Sequence, residues 1–268
     1  MINISIGGMV MGFVLLVIPL YIYFKYSIEW MRQALTAFAR MVLILLLTAV
    51  FLFYAVRWDS LFVDIMWLLL LSAFSTLVIA NRARLSTEHM FVPVMVGVTL
   101  SALLIGAWTI LAIGGVGGLT ETRLIIPVAG LLVGAMVESD AAALSEYYSG
   151  LRHHGQLYQL LMGNGARRDE ALNYFVRRAM QKGSAEGLRK MATVMISTTP
   201  VVLYAMIMCG TDAFSAVIVE MIVMLASLAA IMLSLVITLY VARRYMLDDY
   251  SRLKNDIRND NLDDDEIR

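Results

Sequence analysis

Paired cysteines are missing from this chain: its 268 residues include a single one, Cys209. That excludes an internal disulfide and any metal site built on a thiolate pair. There is no G-x-x-x-x-G-K-[ST] phosphate loop, no H-E-x-x-H zinc motif and no G-x-S-x-G nucleophile elbow. The glycine-rich run from Gly114 to Arg123, GGVGGLTETR, has no lysine to meet a phosphate and reads as a flexible turn. His153 and His154 are neighbours, so on a helix they point about 100° apart and cannot hold one ion together. The opening MINISIGG lacks the basic residues that precede the apolar core of a signal peptide, so the first apolar run is expected to persist as a span. With these motifs missing, no catalytic residue, no cofactor in this chain and no nucleic-acid partner are expected.

Apolar residues are present in excess. They make up 60% of the chain, and the mean hydropathy is +0.76, against roughly 45–50% apolar in soluble domains. The reading is an all-α, polytopic membrane protein. Runs near twenty apolar residues fall at about 5–25, 38–56, 62–80, 91–113, 124–144, 192–209 and 213–241, which predicts seven spans. The fifth is the weakest: its uncharged run Leu124–Val137 reaches only about 21 Å at 1.5 Å per residue, so Glu138 and Asp140 fall within or beside it. Glu220 falls inside the last span.

The charges are segregated. If the segments after the first, third, fifth and seventh spans share one side, all but Arg57 and Arg123 of the 21 Lys and Arg residues lie there. The positive-inside rule then sets the N-terminus outside and the C-terminus in the cytoplasm of a cell (inner) membrane. The chain divides into spans one to five (1–144), a cytoplasmic loop (145–191), spans six and seven (192–243) and an acidic tail (244–268). The tail reads as a frayed helix with a disordered end.

The cytoplasmic loop contains a basic stretch with an apolar stripe. Leu172, Phe175, Val176, Ala179 and Met180 follow the i, i+3, i+4, i+7, i+8 pattern of one helical face, and Arg167, Arg168, Arg177, Arg178 and Lys182 occupy the rest. Such a segment can lie on an anionic leaflet, pack on the ends of the spans, or offer its face to a partner. The pattern alone leaves these open. The nineteen methionines are open in the same way. Met206, Met208, Met221 and Met224 flank the last outer loop, where thioethers would suit Cu(I), but methionine is also a packing residue of apolar helices.

Several motifs resemble those of the FetB-type ABC transporter permeases, bacterial iron-export proteins related to the plant aluminium-sensitivity membrane proteins. Leu160-Leu161, Gly165-Ala166 and Glu170-Ala171 are similar to that family's cytoplasmic segment. Ile126-Pro127-Val128-Ala129-Gly130 with Gly134 matches its I-P-x-A-G-x-x-x-G, and Ala39-Arg40-Met41-Val42, Pro200, Gly210 and Met221–Met224 keep its spacing. The likeness covers roughly residues 30–245. It implies a permease subunit without an ATPase of its own, working as a homodimer with a separate ATP-binding subunit that holds ATP and Mg2+. It also implies an ATPase-coupling set of Gly165, Ala166, Glu170, Leu172, Phe175 and Val176. Departures bear on the cargo. The family's G-M-M-T-G-Q run is Val201–Met206 here, and Glu138 and Glu220 stand near or at family amide positions. Glu138, Glu220 and Met206 are therefore the expected substrate-pathway residues, with a metal ion (iron) or a small solute as cargo and no metal ligand set assigned. The alternatives are an ion-coupled carrier or channel that needs no ATPase, and a membrane scaffold.

Overall fold

The computed structural model describes residues 14–26, 31–165 and 167–246. Among them are nine α-helices and no strand: α1 (Val17–Lys25), α2 (Met31–Trp58), α3 (Leu61–Arg82), α4 (Thr87–Gly118), α5 (Thr122–His153), α6 (Gly155–Gly163), α7 (Arg168–Ala192), α8 (Val201–Met208) and α9 (Ala213–Met246). The chain forms two compact units. The first holds the described residues up to Asp59 together with Met208–Gly210. Its α2 buries only Ala55 among its 28 residues, as expected of an apolar helix whose solvent is lipid.

The second unit contains the packed core. Side chains from the first turns of α3 and α5 meet where Thr122 Oγ1 donates to Asp64 Oδ2 at 3.0 Å, with both residues buried. At the opposite end Arg82 of α3 reaches Glu138 of α5 at 3.2 Å. Helices α3 and α5 therefore run in parallel. Helix α4 runs against them and packs along α9, the most extensive contact between any two described helices. Small residues permit that closeness. Gly97 lies on the Thr238 side chain and 3.2 Å (from an added Cβ) from the Ser234 carbonyl, and Ala102, Ala226 and Ala230 are buried nearby in sequence. Between helices in lipid no hydrophobic driving force operates, so close van der Waals approach and interhelical hydrogen bonds hold them together. Ser234 Oγ supplies one such bond, donating to Asp140 Oδ2 at 2.6 Å.

Helix α7 runs antiparallel to α5 and α9. Its first turn is fixed by Arg243, which donates to Asp169 at 3.0 Å, and its last by Lys190, 3.6 Å from Glu138. Gly183 lies at the crossing: a Cβ there would stand 2.8 Å from the Ser139 carbonyl, 2.9 Å from Ala143 Cβ and 3.0 Å from Leu235. The apolar stripe read from the sequence is the face so buried. Ala171, Leu172, Phe175 and Ala179 are all inside the core.

Five of the described helices are long and apolar enough to cross a bilayer: α2, α3, α4, α5 and α9. The described part of the expected first span is α1, and residues 1–13 and the tail beyond 246 lie outside the described residues. The expected sixth span is different in kind. Residues 193–200 are irregular and α8 has eight residues, about 12 Å of helix against a hydrocarbon core of about 30 Å. The expected loops are also largely helical. Helix α4 continues through a kink at Gly115 to Gly118, and residues 145–191 continue α5 and then form α6 and α7. These helices extend past the apolar windows because packing, and not lipid, supplies their burial.

Overfilling a tight crossing costs about 1–3 kcal/mol. Gly183→Ala should therefore lower the midpoint of thermal aggregation of the detergent-purified protein. Gly155→Ala, where an added Cβ meets nothing within 4 Å, should leave that midpoint unchanged.

Candidate functional site

The interrupted sixth segment creates the site. Three features end helix α7 and open a tight turn. Thr193 Oγ1 donates to the Arg189 carbonyl at 2.8 Å, Met195 has φ +69°, and the N–H groups of Ser197 and Thr198 both return to the Thr193 carbonyl. Pro200 has no N–H and its carbonyl accepts from Tyr204 N–H at 3.2 Å, so the helix restarts at Val201. A helix that restarts there exposes unpaired N–H groups at its first turn, where lipid offers no acceptor. Glu220, projecting from α9, supplies one: its Oε2 accepts from Leu203 N–H at 2.9 Å. Glu220 is 8% exposed. A carboxylate against the positive end of a helix is favourable in charge as well as in geometry.

A cavity of about 220 Å³ lies between α5, α7, α9 and residues 198–202. Its α9 wall runs from Glu220 to Ile231, about 16 Å along the helix. Ser139, Thr198, Thr199 and Ser227 bring hydroxyls to it, and Glu186 and Lys190 bring charges from the last turns of α7. Lys190 lies 3.8 Å from Glu186 and 3.6 Å from Glu138. Two hydrogen bonds from the Arg189 guanidinium, at 2.8 and 2.9 Å, hold the Glu186 carboxyl below the usual carboxylate range. The remaining wall is apolar. Among the described residues no three His, Cys, Asp or Glu side chains are grouped to hold a metal ion.

The residues expected to line a pathway separate. Glu220 lines the cavity. Glu138 is about half exposed and ion-paired to Arg82 and Lys190, outside the cavity lining. Met206, on α8, is half-buried and also outside that lining. Cys209 is exposed. The residues expected to couple to an ATPase separate too. Gly165 is exposed in the turn between α6 and α7, and Ala166 lies outside the described residues. Glu170 is exposed and accepts from Arg167 N–H at 3.0 Å, capping α7. Val176 is half-buried, Leu172 is fully buried, and Phe175 is 2% exposed with its ring against Gly150. Sequence reasoning missed Ser139, Thr198, Thr199, Lys190 and Ser227. The signal was Ser197-Thr198-Thr199-Pro200, four residues that interrupt an apolar run, the pattern of a discontinuous membrane helix.

Removing the acceptor should release α8. A hydrogen bond to a charged group contributes about 1.5–3 kcal/mol, so Glu220→Ala should speed amide exchange at Leu203 about tenfold or more by hydrogen–deuterium mass spectrometry. Glu220→Gln keeps an acceptor oxygen and should leave that exchange slow.

No curated protein and no solved structure matches this chain. The model of the uncharacterised protein family UPF0014 matches residues 6–247, nearly the whole of it. This membrane protein belongs to the UPF0014 family.

Proposed function

We propose that this chain is the permease subunit of an ATP-binding-cassette transporter that moves a metal ion or another small solute across the cell (inner) membrane. The observation that carries the reading is the cavity: it is bounded by an interrupted span and contains one buried carboxylate, Glu220. Polar groups at bilayer depth are costly unless they face a pathway or another helix, and irregular backbone is tolerated there only against protein or a cavity. The resemblance to FetB-type permeases and the match along residues 6–247 agree with a transport subunit, and iron export is the cargo and direction that resemblance suggests. The chain would act as a homodimer, with ATP and Mg2+ held by a separate ATP-binding subunit.

Leu172 and Phe175 pack inside this chain, which favours a docking surface other than the buried face of α7. The surface that remains is the tip formed by α6 and the turn to α7. Helix α6 buries Tyr158 and turns Leu157 and Leu160 outward, Leu160 at 61% exposed, while Gly165 and Glu170 lie beside them in sequence and exposed. This tip sits at the end of the bundle that carries Arg152 and Arg243, the side assigned to the cytoplasm by the positive-inside rule. A push on α6 would reach the cavity through α7, whose last turns supply Glu186 and Lys190 to its wall.

Apolar anchors at an interface can contribute 2 kcal/mol or more. Leu160→Asp should insert and purify normally while losing at least about tenfold in co-purified ATP-binding subunit, whereas Phe175→Asp should lower the yield of the folded chain itself. Undiminished assembly and solute-stimulated ATP hydrolysis by Leu160→Asp would remove the α6 tip as the coupling site.

A further inference from the structure

We infer that the cavity binds a small amphiphilic organic cation, a protonated amine, with its ammonium at Glu220 and its hydrocarbon body on the apolar wall. The inference rests on the permease reading only in treating the bound amine as cargo. Four observations lead to it, beginning with the charge on Glu220.

Among the described residues Glu220 has one polar partner, Leu203 N–H, and no cation. A carboxylate offers about four acceptor positions, so most of that capacity is open to the cavity that Glu220 lines. The first turn of α8 offsets about half a charge, which leaves a net negative site in a low-dielectric wall. An ammonium brings the missing charge and three N–H donors. The carboxylate excludes anions by the same field.

The wall decides between an organic cation and a bare ion. Leu131, Val202, Val223, Leu228 and Ile231 surround the space with hydrocarbon. Hard divalent ions take six or more oxygen ligands, and here one carboxylate and scattered hydroxyls are available. Met191 and Met224 add two thioethers, but no imidazole or thiolate joins them. The size agrees with a molecule and not an atom: an apolar cavity of about 150 Å³ accepts benzene, and this one is about 220 Å³. A single ring or a short chain carrying an amine fits that space.

At the far end from Glu220, Lys190 lies 3.6 Å from Glu138 and 3.8 Å from Glu186. Arg82 and Arg189 share those two carboxylates, so the cluster carries one net positive charge and turns the ammonium of an entering amine toward Glu220.

The test is equilibrium binding to the purified chain in lipid nanodiscs at neutral pH, with 2-phenylethylamine as the probe. Its neutral isostere 2-phenylethanol, the anion phenylacetate and the ions Fe2+, Mn2+ and Cu+ serve as comparisons. The amine should saturate one site and lose at least about tenfold in affinity in Glu220→Gln, which keeps the helix cap. Ala135→Leu, which fills the cavity without touching Glu220, should weaken it as much, and the alcohol and the acid should not saturate. Equal affinity in wild type and Glu220→Gln, absence of saturable amine binding, or displacement of the amine by micromolar Fe2+, Mn2+ or Cu+ would overturn the assignment. Amine binding in a chain that never co-purifies with an ATP-binding subunit would support the cavity assignment and sink the ABC-permease reading. ATPase co-purification without amine binding would do the reverse.

Discussion

A bilayer offers no hydrogen bonds, so every polar group at depth must find a partner inside the protein. The architecture of the second unit depends on this constraint. Three buried hydroxyls of α3 and α4 bond locally: Ser75 and Thr76 donate to the Ser72 carbonyl at 2.8 and 2.7 Å, and Thr109 to that of Ile105 at 2.7 Å. Other groups tie helices to one another, Asp64 with Thr122 and Asp140 with Ser234. Glu220 with Leu203 belongs to the same class, but it joins a helix to the start of a broken one. That difference turns a structural bond into the edge of a cavity.

The break in the sixth segment has two consequences. It limits α8 to about 12 Å of helix against a hydrocarbon core of about 30 Å, and it leaves residues 198–202 to form one wall of the cavity. The opposite wall comes from α7, which is polar enough to extend beyond lipid yet packs tightly on α5 and α9 through Gly183 and Gly187. One helix thus reaches from the exposed α6 tip, through the Arg243–Asp169 contact, to the charged end of the cavity. With 25 residues, about 37 Å, it is one continuous helix.

The charged residues illustrate how context changes meaning. Glu138 and Glu220 are the same residue type, both within or beside spans, and both were candidates for a pathway. Glu138 is half exposed and ion-paired to Arg82 and Lys190, which makes it a clamp between the middle of α5 and the last turns of α3 and α7. Glu220 is buried, lines the cavity and has no cation partner among the described residues. Phe175 shows the same shift. Its stripe of apolar neighbours was compatible with lipid, a partner or the chain itself, and the structure assigns it to the chain, against Gly150.

The sequence alone determined the class of solvent and the periods of the helices. Composition and run length are enough for that, because transfer of about twenty apolar residues into hydrocarbon outweighs any local detail, and the spans that became α2, α3, α4, α5 and α9 were all legible. The amphipathic face of α7 was legible too, since a 3.6-residue period survives in any surroundings. What covers that face was not, nor was the break before Val201, nor the pairing of residues 203 and 220. Those depend on which helices meet, and at a helix crossing the deciding quantities are close approaches such as 2.8 Å at Gly183 and single hydrogen bonds between distant residues. Hydropathy averages over such contacts, so only the tertiary structure could separate a carboxylate that clamps from one that lines a cavity.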